Sequence, residues 1–143
     1  MLSGPDTPET ASNSVSSALK AAAVIHVVLG LGFGLGTVWT LQHLAANGEL
    51  PITPFGFRSL AGGPFERLPT DQFAALGWTL VGICALDVLA GAWLWHGRRG
   101  GAVLGITTSV PALAMSVGFA LPFLLAGVPL RVALILAGRR SLQ

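Results

Sequence analysis

From Ala21 to Leu41 the chain carries no acidic or basic side chain except His26. As a helix that run measures about 30 Å, the thickness of a bilayer's hydrocarbon core. A second run, Phe73 to Trp95, contains a single charge, Asp87, and two further apolar runs, Ala102 to about Gly118 and Ala120 to Gly138, contain only Arg131 between them. Segments of this length and polarity constrain the fold more than any motif does, because their side chains need a solvent other than water. Only 10% of the 143 residues are charged, 52% are hydrophobic, and the mean hydropathy is +0.72. An average soluble domain carries roughly 25% charge, and a domain this small would leave a large share of its apolar residues facing water.

The reading is therefore all-α: a polytopic integral membrane protein whose four transmembrane helices form a compact bundle, over about residues 20–44, 72–96, 101–118 and 120–138. Residues 1–18, rich in Ser, Thr and Pro without apolar periodicity, read as a disordered polar tail, and residues 19–140 as the membrane domain. The tail carries Asp6 and Glu9 where a secretory leader would be positive, so the first apolar segment is expected to stay attached. Residues 101–138 must supply two spans and a turn, which leaves each near the lower limit of roughly 17 residues. Pro122 and Pro129 weaken the fourth. One span plus a re-entrant segment is the alternative, and four spans are preferred.

Basic residues set the expected orientation. Lys20, the Arg98 and Arg99 pair and the Arg139 and Arg140 pair fall at alternate ends of the four spans, so all lie on one side, which the positive-inside rule makes the cytoplasm, with both termini. Trp39 and Trp78 fall near the opposite boundary and Trp93 and Trp95 near this one, as aromatic belts do. Arginine outnumbers lysine seven to one, and alanine and glycine abound, as in proteins of GC-rich genomes. A bacterial plasma membrane is the expected location. The positive charges are scattered rather than striped, which gives nucleic-acid binding no support.

Intramembrane polar residues are costly and usually face the bundle interior. Helical rise from the flanking basic residues puts Asp87 roughly 16 Å, Arg131 about 12 Å and His26 about 9 Å from the same surface. Asp87 can therefore pair with Arg131, and His26 can join through water. A register-fixing pair and a functional acid are both open for Asp87, while His26 reads as structural. No metal site is expected: Cys84 and Asp87 share a helix face, but no HxxxH or ExxH accompanies them. No Ser or Cys is paired in sequence with a base, so no catalytic residue and no cofactor are assigned.

The extracytoplasmic loop, residues 47–71, holds four prolines and four glycines. Connections this long without secondary structure are often functional. Pro54-Phe55 followed by Arg58 is echoed by Pro64-Phe65 followed by Arg67. Phe55, Phe57, Arg58, Phe65 and Arg67 are the candidate contacts, either as a cap or partner site or, as the plainer reading has it, as phenylalanines dipping into headgroups. Thr70 and Asp71 are expected to cap the second helix.

Residues 30–36 read GLGFGLG. The stretch lacks G-x-G-x-x-G and a following Lys-Ser or Lys-Thr, and it lies where no water would solvate a phosphate. As a helix it makes two overlapping GxxxG pairs on different sides, Gly30 with Gly34 and Gly32 with Gly36, each a surface for close helix approach. That places the first span in the middle of the packing. On the third span Gly101, Gly105, Ser109, Ala112, Ser116 and Ala120 form a second small-residue stripe, with a kink expected at Pro111.

Two functions remain. The favoured one is a non-enzymatic helix-packing or accessory component of a membrane complex, embedded in the lipid bilayer as a homo-oligomer or as a subunit of a larger assembly. The alternative is a small proton-coupled transporter using Asp87.

Overall fold

The computed structural model describes residues 15–143. It is all-helical, with α1 over Ser17–Asn47, α2 over Thr70–Trp95, α3 over Arg99–Gly118 and α4 over Pro122–Gly138. Single-turn 3-10 segments cover Pro64–Arg67 and Arg139–Ser141. Among the described residues four helices are long and apolar enough to cross a membrane, counting the last as Pro122–Ser141, so residues 101–138 do form two separate helices. The expected disordered tail lies largely outside the described residues, but Ser17 and Ala18, assigned to it from sequence, are the first residues of α1.

Local signals explain most boundaries. Ser16 caps α1, its hydroxyl accepting from the Leu19 amide. Gly48 ends the helix in the left-handed region at φ 73°, its amide donating to the Leu44 carbonyl. Pro122 opens α4, where a missing amide costs nothing. The expected Thr70 and Asp71 cap on α2 is not formed: Pro69 holds the cap position without a side-chain bond, and Asp71 lies inside the first turn. There its charge complements the helix dipole.

Each helix packs on its chain neighbours, and α1 closes the ring against α4. The first helix thus stands at a corner of the square rather than in its middle. One end of the bundle carries Lys20, Arg98, Arg99, Arg139 and Arg140, and it is tied by backbone: the Gln143 amide donates to the Gly97 carbonyl at 2.9 Å, and the Arg99 amide to the Gln143 carbonyl at 3.1 Å. The Ser16 amide donates to the Ser141 hydroxyl at 3.2 Å. The long loop occupies the other end, where Ser59 and Thr40 hydroxyls meet at 2.8 Å. That contact folds the loop back along α1, about 10 Å below the helix terminus at Asn47.

The core is divided. Toward the basic end it consists of Leu19, Ala22, Ala23, Leu94, Ala102 and Ile135. Toward the loop end it contains Phe73, Leu80, Ile83, Ala112, Phe119, Leu124 and Val128 among others. On every helix the residues between these two clusters include a buried polar or charged side chain: His26, Asp87, Thr108 with Ser109, and Arg131.

Candidate functional site

The packing of α1 on α2 sets the geometry of that polar layer. A Cβ on Gly30 would lie 2.7 Å from the Cys84 carbonyl oxygen, and one on Gly91 would lie 2.8 Å from the Ala23 carbonyl oxygen. Glycine on each helix therefore lets the other's backbone approach at two levels, one on each side of Asp87. Gly34 adds contact with Cys84, and Gly77 receives Leu41. The α3 stripe works the same way against α2: a Cβ on Gly101 would lie 2.6 Å from the Leu94 amide nitrogen. Gly105 sits under His26, 2.8 Å from its Nε2 at the Cβ position, and Ser109 donates back to the Gly105 carbonyl at 2.6 Å.

Asp87 and Arg131 are brought together. Arg131 Nη1 donates to Asp87 Oδ2 at 2.6 Å, with side-chain exposures of 0% and 2%. Thr108 Oγ1 donates to Asp87 Oδ1 at 2.8 Å. Both carboxylate oxygens are thus held, one by α4 and one by α3, so a single acid on α2 joins three helices. In so apolar a setting an unpaired carboxylate would be costly, and a charge-assisted bond to each oxygen is the arrangement that makes its burial tolerable.

His26, also fully buried, belongs to the same layer without a hydrogen bond to the pair. Its Nδ1 lies 2.8 Å from the Ala22 carbonyl oxygen, so in the neutral ring Nδ1 carries the proton and Nε2 is an acceptor. Among the described residues, His26 Nε2 and Arg131 Nε and Nη2 have no hydrogen-bond partner. The layer therefore retains hydrogen-bonding capacity that ordered water can satisfy. Among the described residues no three of His, Cys, Asp and Glu converge as metal ligands would.

The candidates in the long loop separate. Residues 52–58 form a tight turn in which the Thr53 amide and hydroxyl both donate to the Phe57 carbonyl, closed by an antiparallel bridge between Ile52 and Arg58. At its tip Phe55 and Phe57 are stacked, 6.3 Å apart at 12°, and exposed by 86% and 60%. Phe65 turns the other way. It meets Phe119 edge-on at 5.1 Å, Phe119 meets Phe73 at 5.3 Å, and Gly118 leaves the space the Phe65 ring fills. The repeated Pro-Phe is thus an anchor in one copy and a display in the other. Arg58 and Arg67 are both exposed.

Thr108 was not singled out from the sequence. The depth arithmetic that matched Asp87 with Arg131 places it about 13 Å from Arg99, at the same level, and applying that arithmetic to hydroxyls as well as charges finds it. Among the described residues, Gly32 and Gly36 meet no atom within 4 Å at their Cβ positions, so this second pair is in close contact with no other described helix. No family model, curated protein or solved structure matches the chain.

Proposed function

We propose that this is a small multi-pass protein of a bacterial plasma membrane, with both termini in the cytoplasm, acting as a non-enzymatic helix-packing or accessory component of a larger membrane complex. One observation carries the reading: both oxygens of the intramembrane carboxylate are held by groups on two other helices. An acid so engaged fixes the register of α2, α3 and α4, and a protein built around it behaves as a rigid body. The stacked Phe55 and Phe57 at the end of a bridged turn supply the contact to a partner outside the bilayer, since aromatic side chains, phenylalanine among them, are enriched in protein interfaces. The basic residues gathered at the opposite end support the orientation.

The test is purification of the full-length protein in a mild detergent. A partner retained by the native protein and lost from Phe55→Ser/Phe57→Ser, with bundle size and melting unchanged, is the expected result. Retention by the double variant overturns the role given to the loop tip.

The transporter reading has one observation in its favour, the buried His26 Nε2 and Arg131 Nε and Nη2 without protein partners. These would line a water path to Asp87. Substrate-dependent proton uptake into liposomes, abolished by Asp87→Asn, would establish that reading instead.

A further inference from the structure

The second glycine pair of α1 forms the floor of a groove of about 740 Å³ between α1, the loop residues 57–62 and the turn from α3 to α4. That volume lies within the range of roughly 300–1,000 Å³ found for ligand sites. Its walls are apolar, with Phe33 on one side and Phe119 and Phe123 on the other. Gly32, Gly36 and Phe123 are exposed, so the groove opens sideways, toward lipid. Three polar residues interrupt the apolar lining, and one of them, Ser59, is engaged in its hydroxyl contact with Thr40. Arg58 stands at the loop end, and Thr37, 1% exposed, lines the wall with its Oγ1 lacking any hydrogen-bond partner among the described residues. Thr37 differs here from Thr40, Thr79 and Thr107, each of which donates to the carbonyl four residues before it.

The geometry points to a bound anionic glycerophospholipid: phosphate at Arg58, an ester carbonyl accepting from Thr37, and an acyl chain over Gly36 and Gly32. Ser59 is level with Thr40, and Thr37 lies about 4.5 Å further down α1. Gly36 and then Gly32 follow toward mid-membrane. A cation, a hydroxyl donor and then a smooth apolar strip, in that order with depth, match the order of groups along a lipid. Arg58 shares a smaller hollow with Glu49 and Glu66, yet forms no ion pair with either, and Glu66 Oε2 is already taken by the Gly62 amide at 2.8 Å. Its charge is therefore available to a phosphate. A transmembrane helix fits less well. Loop residues 57–62 lie across the groove at the level of Thr40, where a helix roughly 10 Å wide laid along Gly32 and Gly36 would collide with them. The groove shares Phe57 with the loop tip but not Phe55, and the variants that test it, at Arg58, Thr37 and Gly36, leave both rings in place.

The test is native mass spectrometry of the full-length protein in mild detergent with added phosphatidylglycerol or phosphatidylcholine. One phosphatidylglycerol retained per chain, in preference to phosphatidylcholine, is expected. Arg58→Gln should bring that preference to near one, and Thr37→Val should weaken retention of both lipids. Gly36→Leu places its side chain in the groove where no protein atom stands, so the bundle should keep its size and melting temperature while lipid retention is lost. Failure of the native protein to retain lipid, or retention unchanged by Gly36→Leu, overturns the proposal. So does dissociation of an oligomer by Gly36→Leu, which would assign the groove to a second copy.

Discussion

Gly30 on α1 lies so close to Cys84 on α2 that a methyl group added to it would stand 2.7 Å from the Cys84 carbonyl oxygen. The obstacle is backbone, which cannot swing aside as a side-chain tip can. Cys84 itself is 2% exposed, sealed by this contact. Gly30→Leu should therefore push α1 away from α2 and destabilise the bundle by about 1 to 3 kcal/mol or more, the usual cost of overpacking. Labelling of Cys84 by a maleimide, slow in the native protein, should become fast. Gly32→Leu is the control. It adds the same side chain two residues away in open space, and it should leave both labelling and melting unchanged.

The same close approach positions the acid that Arg131 neutralises. Arg131→Met would leave the Asp87 carboxylate buried without its cation, a change that typically costs about 3 to 5 kcal/mol. Replacing both partners, as Asp87→Leu/Arg131→Met, removes the charge together with its counter-charge and should recover most of that loss. Thermal unfolding in one detergent, compared across the native protein, the single variant and the double variant, reads this directly. A double variant no more stable than Arg131→Met would mean that the pair holds the bundle by more than charge compensation.

Both of these arrangements were largely legible in the sequence, and for the same reason. In an apolar helix a charge or a run of glycines is conspicuous, and helical rise converts residue number into depth. Asp87, Arg131 and His26 share a level because each is a fixed count from a basic residue at one end. Depth arithmetic does not report which side of a helix faces inward, nor whether a glycine face finds a neighbour. Gly30 with Gly34 and Gly32 with Gly36 are equivalent as spacings, and only the packing of α2 against the first pair distinguishes them. The loop was the least legible part. Its two Pro-Phe copies look alike, yet Gly118 on α3, more than fifty residues away from both, makes room for just one of the rings.

Thr108 tests how much of the layer's stability is hydrogen bonding. Its hydroxyl donates to Asp87 Oδ1 and also lies 3.3 Å from the Gly105 carbonyl oxygen. Thr108→Val preserves shape and β-branching but leaves one oxygen of a buried carboxylate without a donor. A bond to a charged group contributes about 1.5 to 3 kcal/mol, and a loss in that range is expected in thermal unfolding. Thr108→Ser keeps the donor and should recover much of it. Equal losses in both variants would put the effect in packing of the methyl group instead.

Phe65 and Phe55 supply the last comparison, because the same dipeptide is read in two environments. Phe65 is half-buried and forms the first link of an aromatic chain running through Phe119 to Phe73. A fully buried phenylalanine cut back to alanine costs roughly 3 to 5 kcal/mol, so a half-buried one should cost about 1 to 2 kcal/mol. The larger consequence is local. Phe65 fixes the 3-10 turn Pro64–Arg67 against the end of α3, and without that ring the turn should open well before the bundle does. Tryptic cleavage after the exposed Arg67 measures this opening. Phe65→Ala should accelerate it several-fold while the four helices keep their melting temperature to within the smaller loss above. Phe55→Ala, which removes a ring 86% exposed and stacked on Phe57, should alter neither. If both variants are cleaved at Arg67 as slowly as the native chain, the loop is held by its backbone bonds, from Ser59 to Pro51 and from Glu66 to Gly63, rather than by the aromatic chain.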